Sequence, residues 1–166
     1  MTGRKSERYV AGMQHVLQIS RKIDYALRAL IYLATLPESQ VSTMQDIAEA
    51  LDLPREFLAK ILKALSARGL VRALRGARGG YQLAKQPRDI SFLDAIEAAG
   101  GPVQINVCLD HKDRCDVSAN CSMYSVWKAG QDKMLEVYRN TTLSELALPA
   151  HAKQALVPMR LVRRSS

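Results

Sequence analysis

Cysteine is scarce in this chain: among 166 residues there are three, Cys108, Cys115 and Cys121, all inside the single stretch VCLDHKDRCDVSANC. An odd, clustered trio is no disulfide framework, which excludes the small, stapled, exported domain. Long apolar runs are missing as well. No stretch of about eighteen apolar residues occurs, and the first residues lack the continuous apolar core that directs secretion. The expected compartment is therefore the cytoplasm, where thiols stay reduced, with no membrane partner. Histidine is sparse and dispersed, at His15, His111 and His151, and neither a phosphate-binding loop nor a nucleophile signature is present. Hydrolysis and group transfer have no residues to carry them, so the chain is expected not to be an enzyme.

Acid is lacking where base is concentrated. The formal charge is +8, and 48% of the residues are hydrophobic, enough to build a core. Between Pro54 and Arg88 stand nine basic residues (Arg55, Lys60, Lys63, Arg68, Arg72, Arg75, Arg78, Lys85, Arg88) against one acid, Glu56. About a fifth of the chain thus carries a net charge equal to that of the whole. So focused a basic region points to nucleic acid in preference to an anionic membrane surface.

Periodicity supplies the frame. Residues 1–17 are polar, basic and weakly periodic, and read as a flexible extension. Ile23, Ala26, Leu27, Leu30, Ile31 and Ala34 recur at three- and four-residue spacing in a core helix from Arg21 to Leu36, closed by Pro37. Ser42-Thr43-Met44-Gln45 has the form of a capping box and opens a short helix with Met44, Ile47, Ala48 and Leu51 on one face. Asp52-Leu53-Pro54 makes a turn, its proline suited to the first position of the next helix. That helix has the apolar stripe Leu58, Ile61, Leu62 and Leu65, ends at Gly69, and keeps Arg55, Glu56, Ala59, Lys60 and Lys63 outside. Two helices about a short turn, the second basic on its outer face, form a helix-turn-helix whose second helix enters the major groove.

Strand-like runs at Leu70–Leu74 and Tyr81–Leu83 flank Arg75-Gly76-Ala77-Arg78-Gly79-Gly80, a wing whose glycines permit positive φ and close backbone approach. Arg75 and Arg78 suit the negative potential of the minor groove. The expected DNA-contacting set is Ser42, Thr43, Arg55, Glu56, Lys60, Lys63, Arg75, Arg78, Gly79 and Gly80. The plain alternative, a solvated basic hairpin of helices, loses ground once the wing follows it.

A further helix starts at Ser91-Phe92-Leu93-Asp94 and breaks at Gly100-Gly101-Pro102. The predicted organisation is a winged helix-turn-helix DNA-binding domain over 18–99 and a cysteine loop over 100–121. A long helix and a short C-terminal one follow over 122–148, then a mobile tail over 149–166. The fold class is mainly α with a small β wing. The long helix carries Met123, Val126, Trp127, Met134, Val137 and Tyr138, more apolar surface than the remaining chain can cover. A second copy is expected to cover it, giving a homodimer; the alternative is that the helix folds back over the first helix of its own subunit.

Clustered thiolates are soft metal ligands. The spacing C-x6-C-x5-C is wider than the paired knuckles of structural zinc and suits an iron-sulfur cluster, with zinc or unliganded thiols as alternatives. Three thiolates leave one position open, for which Asp24, His111, Tyr124, His15 or a small molecule are candidates. A carboxylate or histidine there is more labile than a thiolate, which suits sensing better than electron transfer.

The motifs ISRKIDYALRALIYLA, the helix pair ending LSARGLV, the wing RGARGGYQLAK, the triple-cysteine loop and the closing TLSEL together resemble the winged-helix iron-sulfur transcription regulators of the IscR, NsrR and RirA type, from about Leu17 to Leu148. The resemblance implies a homodimer, a cluster on Cys108, Cys115 and Cys121, and binding to a double-stranded operator by the helix over 54–68 with Arg75 and its neighbours. Tyr124 stands three residues after the last cysteine, where members of the IscR kind have histidine, and this argues against their two-iron site. IDYALRAL is similar to the first helix of the nitric-oxide-responsive, NsrR-like members, whose matching aspartate reaches a four-iron cluster across the dimer. Asp24 is thereby the implied fourth ligand, and a [4Fe-4S] cluster is favoured over [2Fe-2S].

The six residues between Cys108 and Cys115 match neither the spacing of the nitric-oxide sensors nor the longer one of the iron sensors, which leaves nitric oxide, redox and iron open as signals. The expectation is an iron-sulfur transcriptional regulator, a repressor. The alternatives are a winged-helix regulator with a zinc or thiol-redox site and, from another class, an electron-transfer or cluster-carrying protein.

Overall fold

Ser20 opens the first helix by accepting the Ile23 amide on its hydroxyl at 3.4 Å, and α1 runs over Arg21–Ala34 in the computed structural model, which describes residues 19–76, 79–109 and 121–147. The expected extension over 1–17, the tail over 149–166, His15, Arg78, His111 and Cys115 lie outside the described residues. Helix α1 ends two residues earlier than Leu36, where the Thr35 hydroxyl donates to the Tyr32 carbonyl at 2.7 Å.

The second helix, α2 (Met44–Leu51), is capped one residue later than the sequence suggested. Thr43 Oγ1 accepts the Asp46 amide at 3.1 Å, and the Asp46 carboxylate accepts the Thr43 amide at 3.1 Å. Ser42 is engaged elsewhere. Its backbone pairs antiparallel with Tyr81, with N–O distances of 2.9 and 2.8 Å, and this turns its side chain inward. There the hydroxyl, in a residue only 4% exposed, shares a 3.2 Å hydrogen bond with Tyr32 Oη.

An elbow at Asp52, in the left-handed region with φ 51, leads into α3 (Arg55–Ala67), for which Pro54 is the N-cap. The predicted stripe Leu58, Ile61, Leu62 and Leu65 is buried, each side chain contributing roughly 1.5–3 kcal/mol on removal from water. Gly69, with φ +68, ends the helix, and the Leu70 amide reaches back to the Leu65 carbonyl at 3.0 Å. This is the glycine-terminated closure that tucks the following apolar residue beneath the last turn, and Leu70 is buried.

Strands β1 (Val71–Leu74) and β2 (Gly80–Leu83) pair antiparallel from Val71↔Leu83 to Leu74↔Gly80, making the wing. After a 3-10 turn at Pro87–Asp89, Ser91 and Asp94 form a capping box at the head of α4 (Phe92–Gly100), which packs against α1 and α3. A second 3-10 turn, Val107–Leu109, precedes the long α5 (Tyr124–Asn140) and the short α6 (Leu143–Leu146).

The chain's end rejoins its beginning. The Phe92 amide donates to the Thr141 carbonyl at 2.8 Å, the Leu143 amide to the Ile90 carbonyl at 2.9 Å, and Leu143 is fully buried among Leu30, Ile90 and Ile96 in the one core cluster. Hydrogen bonds from Thr142, first from its hydroxyl and then from its amide, hold the Glu145 carboxyl below its ordinary value and cap α6 there. Between the winged core and this returning segment stands α5, which has no buried residue. Tyr138 pins one end of it to Phe92 of α4, ring centroids 5.1 Å apart and planes at 62°. The architecture is mainly α with a small β wing, as the sequence predicted.

Candidate nucleic-acid interface and cysteine segment

The outward face of α3 presents Arg55, Glu56, Lys60 and Lys63, all exposed, because the apolar stripe fixes which side of the helix meets the core. Thr43 is exposed at the head of α2 and Arg75 at the end of β1. Among the described residues none of Arg55, Lys60, Lys63 and Arg75 pairs with a carboxylate, so their charge is available to an external polyanion. Ser42, by contrast, leaves the expected DNA-facing set: it is buried and bonded to Tyr32.

The wing glycines divide the work. Gly76 has φ +107 with open space where a Cβ would stand, so it serves the turn itself. Gly79 and Gly80 are needed for room. A Cβ on Gly79 would crowd the Leu74 and Gly76 carbonyls; one on Gly80 would press into the Ser42 carbonyl and lie 2.7 Å from Val41 Cγ1. The close approach that the sequence suggested at these two positions is thus to the protein's own backbone. It clamps β2 to the segment that leads into α2, adding Ser42 as a third strand-like element of the wing. No local sequence signal marks this seam, apart from the two adjacent glycines themselves.

Cys108 is buried in the second 3-10 turn, and Cys121 is half-buried three residues before α5 begins; both are free thiols. They stand at the two ends of the segment that contains Cys115, and Gln131 Oε1 of α5 accepts the Ile105 amide at 3.0 Å, fastening the approach to Cys108 onto that helix. Among the described residues no three His, Cys, Asp or Glu side chains converge as metal ligands, so Asp24 does not join Cys108 and Cys121 within one chain. Asp24 instead lies one turn from Arg28, Oδ2 3.1 Å from Nε, on a side of α1 where its side chain is 40% exposed. Free soft thiols, one of them shielded from solvent, have the donor chemistry that an iron-sulfur cluster requires.

A helix-turn-helix with a clamped wing and a face of unpaired cations defines a winged-helix DNA-binding regulator. Residues 19–148 match the family model Rrf2, "Iron-dependent Transcriptional regulator", and the chain belongs to that family. It is 26% identical over 145 residues to the HTH-type transcriptional regulator NsrR of Halalkalibacterium halodurans, covering 87% of this chain and 99% of that one. Among solved structures it is similar to CymR (YrzC), the global cysteine regulator of B. subtilis, with 30% identity, TM-score 0.64, and coverage of 79% of this chain and 96% of that one. It is similar also to T. potens IscR, with 29% identity, TM-score 0.63, and coverage of 78% and 85%. The protein is therefore an Rrf2-type DNA-binding transcriptional regulator. Among the described residues no helix is long and apolar enough to cross a membrane.

Proposed function

We propose that this regulator is a homodimeric repressor that senses nitric oxide, redox or iron status through an iron-sulfur cluster held by Cys108, Cys115 and Cys121, with Asp24 of the second copy as fourth ligand. The observation that carries the reading is the pair of free thiols, one buried, at both ends of the segment bearing the third cysteine. The likeness to NsrR and IscR supports it. Within one chain Asp24 does not converge with Cys108 and Cys121, so on this reading its carboxylate, here paired with Arg28, would have to serve the cluster of another copy. When bound, such a cluster supplies a centre that reacts with nitric oxide or oxygen, or is lost when iron is scarce. The chain's own residues do the rest: α3 with Arg55, Glu56, Lys60 and Lys63 faces the major groove, and Thr43, Arg75, Arg78 and the Gly79-Gly80 edge follow the backbone beside it.

A second reading, a winged-helix regulator whose cysteines bind zinc or act as a thiol-redox site, is favoured by the half-exposed Cys121 and the likeness to CymR. The visible absorption spectrum with iron, sulfide and zinc content, taken on protein purified without oxygen, separates the two. The expected outcome is a brown protein with about four irons and four sulfides per chain, from which Asp24→Ala loses the cluster faster than wild type. Colourless protein with roughly one zinc per chain would establish the second reading.

A further inference from the structure

Of the described residues at the wing's tip, 74–76 and 79–80, three are glycine and only Leu74 and Arg75 carry side chains. Both are exposed, Leu74 at 38%. Leu74 closes β1 directly opposite Gly80, and alternate residues of a strand share a face. It therefore stands with exposed Arg72 on the face of the wing that turns away from buried Val71. Across the strand Gly80 has no side chain to cover it. Beyond Gly80 lies Val41, half-buried, whose Cγ1 a Cβ on that glycine would meet at 2.7 Å. Leu74, Gly80 and Val41 thus make an apolar edge next to the Arg75 cation. A single exposed leucine is ordinary on a protein surface; this one is set apart by its place, on the tip that follows the basic helix α3 and beside an arginine with no carboxylate partner among the described residues.

A minor groove about 6 Å wide admits such a glycine-rich tip. At an A·T pair its floor presents only acceptors, adenine N3 and thymine O2, whereas a G·C pair adds the donating amino group on guanine N2. Arg75 is all donor and can serve the acceptors; neither Arg75 nor Leu74 can accept from the guanine amino group. Leucine laid over a G·C pair would strip that group of water and leave it unpaired, the costly half of hydrogen bonding. We propose that Leu74 is a specificity-determining residue, which with Arg75 beside it selects A·T over G·C pairs in the minor groove flanking the half-site of α3. The proposal rests on the reading that brings the wing to that groove. It assigns sequence discrimination to a side chain that makes no hydrogen bond to a base.

The probe is a duplex selected from a randomised pool by the full-length protein, as purified without oxygen or after chelation, whichever form binds DNA more tightly. Its half-sites should carry A·T pairs just outside the positions that α3 reads. Replacing those pairs by G·C should weaken binding about tenfold, within the usual cost of one wrong pair. Inosine·C, which lacks the amino group, should restore it. Leu74→Gln supplies an acceptor and should bind the A·T and G·C duplexes equally well. Its melting temperature should not move, since the side chain is exposed, nor should the salt dependence of binding, since no charge is lost. Arg75→Gln is the companion variant, and should lower the salt slope by about one. If Arg75→Gln leaves both affinity and slope unchanged, the wing does not reach DNA, and the inference falls together with that reading. If Arg75→Gln lowers the slope while Leu74→Gln keeps the full preference for A·T, the wing stays at the DNA and the inference alone is overturned. It is overturned equally if the wild type binds G·C as well as A·T, or inosine·C as poorly as G·C.

Discussion

Gly80 marks the place where the wing meets the rest of the DNA-binding surface. Its missing side chain is what lets the Ser42 and Tyr81 backbones exchange two hydrogen bonds, and Ser42 in turn is bonded through its hydroxyl to Tyr32 on α1. Three elements that are remote in sequence thereby share one small seam. Gly80→Ala is expected to lower stability by about 1–3 kcal/mol, the usual cost of overpacking, and to weaken operator binding further, because the wing shifts relative to α3. Gly76→Ala is the control. It meets open space and is strained only through its φ of +107, so it disturbs the turn and leaves the seam closed. Denaturant midpoints and operator titrations on the two variants decide the matter: wild-type DNA affinity for Gly80→Ala would show that the seam does not set the wing's position.

Elements were legible in the sequence wherever a local pattern fixes them. The helical stripes of α1 and α3 and the glycine stop at Gly69 follow from side-chain spacing and backbone sterics within a few residues. The cap of α2 was not, since Ser42 and Thr43 are both hydroxyl residues with a polar residue three positions on, Gln45 and Asp46. The choice between them is made by Tyr81, whose pairing with Ser42 withdraws the first candidate, and nothing near position 42 announces a partner so distant in sequence. The same limit hid the docking of α6, whose Leu143 enters a core built more than forty residues earlier. For the cysteines, sequence spacing singled out a candidate soft ligand set but could not show that Asp24, Cys108 and Cys121 do not converge within one chain. Helix α2 provides a check at this scale. Thr43→Ala removes the Oγ1 acceptor of the Asp46 amide and should cost about 1 kcal/mol, read as a lower denaturant midpoint. Thr43→Ser, which keeps an acceptor, should restore most of it.

At the scale of the molecule, α5 is the element that one chain does not explain. It is held at its end by Tyr138 on Phe92 and through the α6 strand-like return, and near its middle by Gln131, yet none of its residues is buried. Met123, Val126, Trp127 and Val137 remain exposed, between 38% and 70%. That leaves the helix outside the core of its own subunit, and an exposed apolar row of this length is the kind of surface that a second copy can cover. Pairing of two copies through α5 would place each cysteine segment, at the head of that helix, beside the other chain, and would set the spacing of two winged domains for two half-sites. Val126→Glu together with Val137→Glu tests this, because neither side chain supports the fold of a single chain. Sedimentation should show wild type as a dimer and the variant as a folded monomer. Operator affinity should fall by about a hundredfold or more as bivalent binding is lost. A variant that stayed dimeric with unchanged DNA affinity would mean that the two copies meet elsewhere, and Asp24 would then have no route through α5 to the partner's thiols.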